Sequence, residues 1–415
     1  MVSEAELRID ERTMTQIIQP MARFEVLESP VDYFAAMAWS VICEPGDSFA
    51  GKLIDAFGVS QALSLELAGT SAKDYIARFD EAGVDLGALQ SHGRFDKTMA
   101  EARERWQPRM SVAAVSKAST EMELRGGWFM TPQSELWPES LGSLEAHAPR
   151  GLWVRGGMEA VRSMGQAVSM VGSRMATSYG EFATGEIVGA LVNRGYCLVS
   201  GGAYGIDAMA HRSTLAMGGF TVAVMAGGLD RLYPSGHAEL FKQIEQSGAL
   251  VSEMPPGAEP TKWRFLQRNR LIAALGQAVI VVEANPRSGA VSTANRALEI
   301  GRPLGAVPGP INSAGSDGCH RLIREHKAEL VCCGDDVLEL LGYSRADEPI
   351  TQGLGALETR VLDVIGFGVA SHLHICETAG LTRDEANLGL SALSLLGVIE
   401  QNAHGWTRSS GVRAN

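Results

Sequence analysis

Six short runs between residues 168 and 307, most of whose side chains are apolar, restrict the folds open to this chain more than any other feature. Such runs are typical of strands that are buried on both faces. Longer amphipathic segments separate them, and strands that alternate with helices form a parallel sheet covered by helices on both sides. The sequence therefore predicts a doubly wound α/β core with strands at residues 168–171, 196–199, 221–225, 249–252, 278–282 and 304–307. The predicted helices occupy residues 181–194, 206–217, 238–246, 265–275, 293–300 and 335–340.

Additional domains are predicted on both sides of this core. Apolar residues recur at helical spacing in four segments among the first hundred residues. After residue 354, three helical segments precede two short β runs, which is the outline of a winged helix-turn-helix domain. We expect an N-terminal helical domain at 1–124, the core at 125–341, a linker at 342–353 and a winged-helix domain at 354–415.

The overall charge argues against electrostatic binding of nucleic acid by the whole surface of the protein. The chain has 36 Lys and Arg residues against 48 Asp and Glu residues, a formal net charge of −12. Any basic region that binds a polyanion has to be local in such a chain.

The cysteines, the first residues and the lengths of the apolar runs indicate the cellular compartment of the protein. The six cysteines include no CxxC pair and no zinc-type spacing with histidine, so we expect a reduced protein without a metal or another cofactor. The first residues are too charged for a signal peptide, and no apolar run reaches the ~18 residues of a membrane span. We therefore expect a cytoplasmic protein without a membrane partner.

Three loops that follow predicted strands have the composition of phosphate-binding loops. In an open parallel sheet, ligands bind where the strands end and the next helices begin. Glycine lets a phosphate approach backbone N–H groups, hydroxyl groups donate hydrogen bonds, and arginine can bind phosphate through two N–H groups. Three such loops at one edge of a sheet favour phosphate binding over plain tight turns. They contain Gly172, Ser173 and Arg174, then Gly201, Gly202 and Gly205, then Ser288, Gly289 and Thr293.

A basic segment at residues 262–270 adds a fourth element. It contains four cations and no acid, and Trp263 and Phe265 lie among the cations. Basic side chains along a phosphate backbone and aromatic rings stacked on bases are characteristic of single-strand binding. The alternative is an amphipathic helix with solvated arginines, and it accounts for Leu271 and Ile272, which we expect in the core. The cations are Lys262, Arg264, Arg268 and Arg270, and we expect Arg268, Asn269 and Arg270 to face the phosphate loops.

Patterns of catalytic and nucleotide-binding proteins are incomplete in this chain. Residues 46–52 match the first seven positions of a P-loop, but Leu53 replaces the hydroxyl residue that binds magnesium. The first core strand lacks the glycines of a dinucleotide fingerprint. No nucleophile with its base is evident, so no catalytic residue is expected. The loop that contains Asp230 and Tyr233 either has a structural role or lines the binding groove.

Motifs spread over residues 168–331 resemble those of the DNA-processing protein A family, also called DprA or Smf. In chain order they are VGSRMATSYG, LVSGGAYGIDAMAHRSTL, GGLDRLYPSGHAEL, SEMPPG, FLQRNRLIAAL, VVEANPRSGAVSTANRALEIGRPLGAVPG and CHRLIREHKAELV. Together they are highly specific and follow the order found in the family.

The resemblance implies an extended Rossmann-like core that binds single-stranded DNA without catalysis. It also implies protection of incoming DNA in natural transformation, the loading of a RecA-type recombinase and a homodimer. It assigns base stacking to Phe265, with Lys262 beside it. It assigns phosphate contacts to Arg174, Ser200, Gly201, Gly202, Gly205, Arg268, Asn269, Arg270, Ser288, Gly289 and Thr293.

This chain departs from the family pattern at several positions. Tyr204 stands where many members have an arginine, which removes one phosphate contact, and His237 stands where asparagine is common. Residues 44–47 take the place of a Pro-Gly-Val-Gly hairpin in the first domain. The predicted recognition helix of the winged-helix domain is weakly basic, so we expect it to contact protein rather than duplex DNA.

Two other functions stay open at the level of sequence. One is an enzyme that acts on a free nucleotide, similar to the phosphoribohydrolases that share this type of fold. Those enzymes carry a Pro-Gly-Gly-x-Gly-Thr loop where this chain has PRSGAVST at 286–293. The other is a regulator that binds duplex DNA through the winged-helix domain.

Overall fold

The computed structural model describes residues 9–24, 27–81, 83, 92–343, 354–365, 369–402 and 405–408. The charged N-terminal residues 1–8, most of the predicted linker at 344–353 and the predicted hairpin turn at 403–404 lie outside the described residues. Within the described ranges, no helix combines the length and the apolar character that a membrane span requires.

The larger of the two sheets among the described residues has nine strands and is mostly parallel. Its strands are β1 (Trp128–Met130), β2 (Leu152–Gly156), β3 (Ala167–Gly172), β4 (Cys197–Ser200), β5 (Thr221–Met225), β6 (Ala249–Ser252), β7 (Val279–Val282), β8 (Leu304–Ala306) and β9 (Glu329–Leu330). The six strands predicted from the apolar runs are β3 to β8, so that prediction is confirmed. β1, β2 and β9 were not predicted; they lie at the two ends of the sheet, and β1 and β9 have only three and two residues.

The order of the strands is β1-β2-β6-β5-β4-β3-β7-β8-β9. β2 is antiparallel to β1 and β6, and all other neighbouring strands in this sheet are parallel to each other. From β3 the chain adds strands to one side as far as β6, and it then returns to the other side with β7. The order therefore reverses between β3 and β7, and the carboxyl ends of these strands form the topological switch point of a Rossmann-like sheet.

Helices precede the sheet and cover both of its faces. They are α1 (Glu11–Ile18), α2 (Pro30–Ile42), α3 (Ser48–Phe57), α4 (Val59–Leu67), α5 (Ala72–Glu81), α6 (His92–Trp106), α7 (Val112–Glu123), α8 (Met158–Arg162), α9 (Ser178–Asn193), α10 (Ile206–Ala216), α11 (Ala238–Ser247), α12 (Lys262–Leu275), α13 (Gly289–Glu299), α14 (Asp317–Arg324) and α15 (Gly334–Leu340). Alternate residues of a strand point to opposite faces. Met170 accordingly packs with α9 and α10, whereas Val171 packs with α12 and α13. Leu271 and Ile272 of α12 are buried, as predicted.

The N-terminal helices share a hydrophobic core with the sheet. Trp39 and Trp106 are fully buried, and their rings meet edge to face at a centroid distance of 5.3 Å. The cluster of buried residues around them continues to Phe241 on α11 and Leu250 on β6. Residues 1–341 form one compact unit, within which the boundary expected at residue 124 stays a prediction.

Residues 342–415 form the second unit. Its elements are α16 (Ala356–Ile365), α17 (His372–Ala379), α18 (Arg383–Leu395), β10 (Ile399–Asn402) and β11 (Gly405–Arg408). β10 and β11 pair antiparallel, and Val361, Ile375 and Leu393 are buried in a core of the unit's own. Three helices followed by a hairpin are the element order predicted from the sequence.

Candidate functional site

The loops after β3 and β7 meet at the switch point, where a carboxylate joins them. Glu283, directly after β7, accepts hydrogen bonds from the N–H group of Thr177, at 2.9 Å, and from the hydroxyl of the same residue. Its backbone has a φ of 51°, which costs a residue other than glycine about 1 kcal/mol. A Cβ on Gly180 would lie 2.2 Å from Glu283 Oε2, so glycine is required there. Glu283 thus fixes the positions of the two loops relative to each other.

A cavity of about 650 Å³ opens between these loops and α12, and we call it the switch-point cavity. Four basic side chains and one acid line it, so the local charge is positive in a chain whose net charge is −12. Ten of the fifteen residues predicted to bind DNA contribute to its wall. The lining residues are Val171, Gly172, Ser173, Arg174, Met175, Ala203, Asp207, Tyr233, Lys262, Phe265, Leu266, Arg268, Asn269, Ile272, Asn285, Arg287, Ser288, Gly289, Ala290 and Thr293.

The ring of Phe265 lies beside two guanidinium groups in this wall. Cζ of Arg174 is 5.9 Å from the ring centroid, and Cζ of Arg268 is 5.7 Å from it. Cations at about 6 Å from an aromatic face are attracted to it, so the ring positions both arginines without neutralising them. Tyr233 meets the same ring at a centroid distance of 5.6 Å, which places it in the cavity wall.

Arg268 is a buried charge in the wall, with 7% of its surface exposed. Its Nη1 donates hydrogen bonds to the carbonyl oxygens of Gly201, at 2.8 Å, and Val224, at 2.5 Å. A Cβ on Gly201 would lie 2.2 Å from Nη1, so this guanidinium group requires glycine at residue 201. Burial lowers the pKa of Arg268 to about 10, and the group therefore stays charged at neutral pH.

The anion nest predicted after β4 is occupied by a carboxylate of the chain itself. Asp207 Oδ2 accepts hydrogen bonds from the N–H groups of Gly201 and Ala203, at 3.1 and 3.4 Å. Burial raises the pKa of Asp207, and the charge of Arg268 and these N–H groups oppose that rise. The expectation that Gly201 presents its N–H group to an external phosphate is therefore corrected.

Ser200, Gly202 and Gly205 shape the same loop from outside the cavity. The Ser200 hydroxyl donates to the carbonyl oxygen of Met170 at 2.6 Å. Gly202 and Gly205 have φ angles of 65° and 76°, in the region that favours glycine. A Cβ on Gly205 would lie 2.1 Å from the carbonyl oxygen of Ser173 in the first phosphate loop. These residues set the path of the loop, and their contact with phosphate stays a prediction.

Three exposed cations surround the cavity, and they share a lack of hydrogen-bond and ion-pair partners among the described residues. Arg174, Lys262 and Arg287 make neither a hydrogen bond nor an ion pair with any other residue that the structure describes. Arg287 was not predicted as a site residue, although its position directly before Ser288 in the third phosphate loop was a signal. These side chains are free to bind an anion.

The N-terminus of α13 forms another part of the wall. Ser288 caps the helix by accepting a hydrogen bond from the N–H group of Val291 at 3.4 Å. The side chains of Asn269 and Thr293 both donate to the carbonyl oxygen of Gly289, each at 3.4 Å. The space beside Gly289 is open, since no atom lies within 4 Å of a Cβ built there. An open helix N-terminus with its partial positive charge favours an anion.

Arg270 does not face the phosphate loops, contrary to expectation. It has 4% of its surface exposed, and its Nη2 forms an ion pair with Glu253. Arg264, another cation of the basic segment, pairs with Glu44 at 2.7 Å. Burial raises the pKa of Glu44, and the hydrogen bonds and charges of Arg264 and Arg109 outweigh this effect, so that the pKa is lowered overall.

Arg270 lines a second cavity on the opposite side of α12, with a volume of about 760 Å³. It lies between α12, the start of α3 and the end of α13, and we call it the α3–α12 cavity. Its lining residues are Glu44, Pro45, Gly46, Asp47, Ser48, Arg105, Ser143, Leu144, Glu145, His147, Trp263, Gln267, Arg270, Arg296, Glu299 and Ile300.

The switch-point cavity offers a ligand positive charge, N–H donors and an aromatic ring. Asp207, the acid in its wall, is already hydrogen-bonded within the chain. Among the described residues, no three His, Cys, Asp or Glu side chains are grouped as a metal site. The fold and the cavity together define the class: an α/β protein of the Rossmann-like type with a positively charged cavity at its switch point.

The chain belongs to the DNA recombination-mediator protein A family, whose model matches residues 128–342. The family prediction is therefore confirmed. A Mycobacterium tuberculosis protein named as a DNA processing protein DprA is 40% identical over 313 residues, which are 70% of this chain and 80% of that protein. The Streptococcus pneumoniae DNA processing protein DprA is 42% identical over 191 residues, which are 46% of this chain and 66% of that protein. The X-ray structure of DNA processing protein A from S. pneumoniae aligns with a TM-score of 0.56 at 30% identity, and it covers 74% of this chain and 97% of that one.

Proposed function

We propose that this chain binds single-stranded DNA in the switch-point cavity and acts without catalysis as a mediator of recombination. One observation carries the proposal: the cavity is surrounded by a buried cation and by three cations that have no ion-pair partner among the described residues, and its one acid is hydrogen-bonded within the chain. Such a wall suits a phosphate backbone. It offers no free carboxylate for acid or base chemistry, which supports a binding function rather than an enzymatic one.

The residues divide into those that contact phosphate and those that hold the wall. We assign phosphate contacts to Arg174, Lys262, Arg287 and the loops at Gly172 and Ser173 and at Ser288 and Gly289, because these groups are open to the cavity. We assign a supporting role to the buried Arg268, Asn269 and Thr293 and to the loop of Ser200, Gly201, Gly202 and Gly205.

The aromatic wall favours a single strand over a duplex. Phe265 is half-buried and Tyr233 is 49% exposed, and both rings border the cavity. Stacking on such rings requires unpaired bases, and it contributes affinity with little dependence on sequence. We therefore propose that Phe265 stacks on a base of the bound strand.

The cellular role follows from this mode of binding. A strand that is held mainly through its phosphates keeps most base edges free for pairing, which suits delivery to a RecA-type recombinase. The family is that of DNA recombination mediators, and the relatives are named DNA processing proteins. We propose that the chain protects incoming DNA in natural transformation and loads such a recombinase, as a homodimer in the cytoplasm.

We propose an accessory role for the second unit as a winged-helix domain. The first turn of α18 carries Arg383, Asp384 and Glu385, so one cation stands against two acids. Glu385 also takes part in the capping box with Thr382. A helix that enters the major groove normally carries more positive charge, which favours contact with protein.

A salt titration tests the proposal. Fluorescence anisotropy would compare an oligothymidine with a duplex of equal length from about 50 to 200 mM salt. We expect tighter binding of the single strand. We expect Arg174→Ala to weaken it about tenfold and to reduce the slope of log K against log salt by about 0.7, the value for one lost phosphate contact.

Arg212→Ala is the matched control, because Arg212 is exposed on α10 and lines neither cavity. Tighter binding of the duplex would contradict the proposal. So would unchanged oligothymidine binding in both Arg174→Ala and Lys262→Ala.

A further inference from the structure

The α3–α12 cavity and the switch-point cavity share one helix as their common wall. Lys262 and Phe265 border the switch-point cavity, whereas Trp263 and Gln267 border the α3–α12 cavity. Residues two positions apart point to different sides of a helix, so the first turn of α12 places an aromatic ring on each side. The two cavities therefore adjoin the same turn of α12.

The two cavities differ in charge. Three arginines and four acids line the α3–α12 cavity, against four cations and one acid in the switch-point cavity. The arginines are also engaged, since Arg296 pairs with Glu299 at 2.7 Å and Arg105 with Asp47 at 3.7 Å. This wall would repel a phosphate, but it can accept a neutral polar group.

Trp263 is the most exposed tryptophan of the chain. All seven tryptophans lie among the described residues, and Trp263 has 57% of its surface exposed, whereas the others are buried or half-buried. An exposed ring at the mouth of a polar cavity is available for stacking.

Arg270 contributes unused hydrogen-bonding capacity to the same wall. Its Nε and Nη1 are buried and have no hydrogen-bond partner among the described residues. A Cβ on Gly46 would lie 2.9 Å from Nε, so the glycine at residue 46 lets Arg270 occupy this place in the wall. Carbonyl oxygens and ring nitrogens of nucleobases are acceptors that suit such donors.

We propose that the α3–α12 cavity receives a nucleobase of the strand whose phosphates lie in the switch-point cavity, with Trp263 stacked on that base. This inference rests on the proposed function. The volume of the α3–α12 cavity, about 760 Å³, lies within the range of roughly 300–1,000 Å³ that is typical of small-molecule sites. The N-terminal helices thereby become part of the interface with DNA, since the start of α3 forms one wall of the cavity.

The experiment distinguishes contacts to the bases from contacts to the phosphates. Fluorescence anisotropy would measure two labelled strands of equal length, an oligothymidine and a strand in which abasic residues replace the thymidines. For Trp263→Ala we expect about tenfold weaker binding of oligothymidine. We expect this variant to bind the abasic strand as tightly as the original chain does, and the salt dependence of binding to stay unchanged. Trp263→Phe keeps a ring, and we expect it to restore most of the affinity.

Phe220→Ala is the matched control. Phe220 is 42% exposed, directly before β5 at the amino end of the sheet, and it lines neither cavity. Equal losses for both strands in Trp263→Ala, or no loss for either, would overturn the inference and leave the proposed function standing. If the original chain binds neither strand, the proposed function itself fails.

Discussion

The two sides of α12 bring the same kind of side chain into different surroundings. On one side, Arg268 lies against carbonyl oxygens, and it shares the Phe265 ring with Arg174. On the other side, Arg270 and Arg264 are neutralised by Glu253 and Glu44. One basic segment therefore has two roles. It supplies positive charge to the switch-point cavity, and it joins α12 to β6 and to the N-terminal helices.

The largest expected effect concerns the pair of Arg270 and Glu253. Glu253→Gln leaves the Arg270 charge buried without its partner, which we expect to lower the free energy of unfolding by about 3 kcal/mol. Urea unfolding measures this change. The slope of log K against log salt for oligothymidine should stay unchanged, because Arg270 lies outside the switch-point cavity, in which we propose that the phosphates lie.

Glu299→Gln provides the comparison with an exposed pair. Arg296 and Glu299 are 40% and 57% exposed at their side chains, so removing this pair should change the free energy of unfolding by less than about 0.5 kcal/mol. If Glu253→Gln changes the salt dependence of oligothymidine binding strongly and leaves stability unchanged, the two sides of α12 do not differ as described.

A smaller effect is expected from Gly201→Ala. The added methyl group would lie 2.2 Å from Nη1 of Arg268 and would displace its guanidinium group. We expect a loss of about 2 kcal/mol in the free energy of unfolding from this overpacking. Oligothymidine affinity should fall as well, because a charge of the cavity wall moves.

Gly185→Ala is the control for this substitution. Gly185 lies in α9 with no atom within 4 Å of the added Cβ, so we expect a gain of about 0.5 kcal/mol from helix propensity. Equal stability of Gly201→Ala and the original chain would show that Arg268 is not confined by Gly201.

The titration of His211 tests whether water reaches the buried residues near Arg268. Its Nδ1 lies 2.7 Å from Thr221 Oγ1 and carries the proton, because that hydroxyl gives its own proton to the carbonyl oxygen of Leu198. Burial lowers the pKa of His211 to about 3, and the charges of His237 and Arg268 act in the same direction.

The sign of the resulting pH dependence follows from proton binding. The pKa of His211 is 6.5 in the unfolded chain, its ordinary value, and about 3 in the folded chain. Between these two pH values the unfolded chain binds a proton at His211 that the folded chain does not bind. Stability should therefore fall by about 1 kcal/mol per pH unit as the pH decreases through this range. Urea unfolding should show a flatter profile for His211→Asn, and identical profiles would mean that water reaches His211.

The smallest effect is expected from removing the second unit. Residues 1–341 form a compact unit that contains both cavities, so a chain that ends at residue 341 should bind oligothymidine within about twofold of the full chain. Anisotropy titrations of the two chains measure this. A large loss of affinity would place part of the binding surface in residues 342–415.

Local patterns were sufficient to predict the core of the fold and half of the residues that line the switch-point cavity. The apolar runs predicted β3 to β8 correctly, because a strand buried on both faces leaves a short apolar segment wherever it occurs. The glycine and hydroxyl residues after β3 and β7 marked two loops of the switch-point cavity for a similar reason, since helix starts and close backbone approaches require those residue types.

Tertiary structure alone decided which charges face a ligand. Arg264 meets Glu44 across 220 positions of the chain, and Arg270 meets Glu253 across 17, so no local pattern announces either pair. The same holds for Asp207, which fills the predicted anion nest, and for Arg287, which lines the cavity and has no ion-pair partner among the residues that the structure describes. The sequence determined where cations and anion-binding loops occur. Only packing, which brings distant residues within a few ångströms of each other, determined which of them are neutralised and which remain open to a ligand.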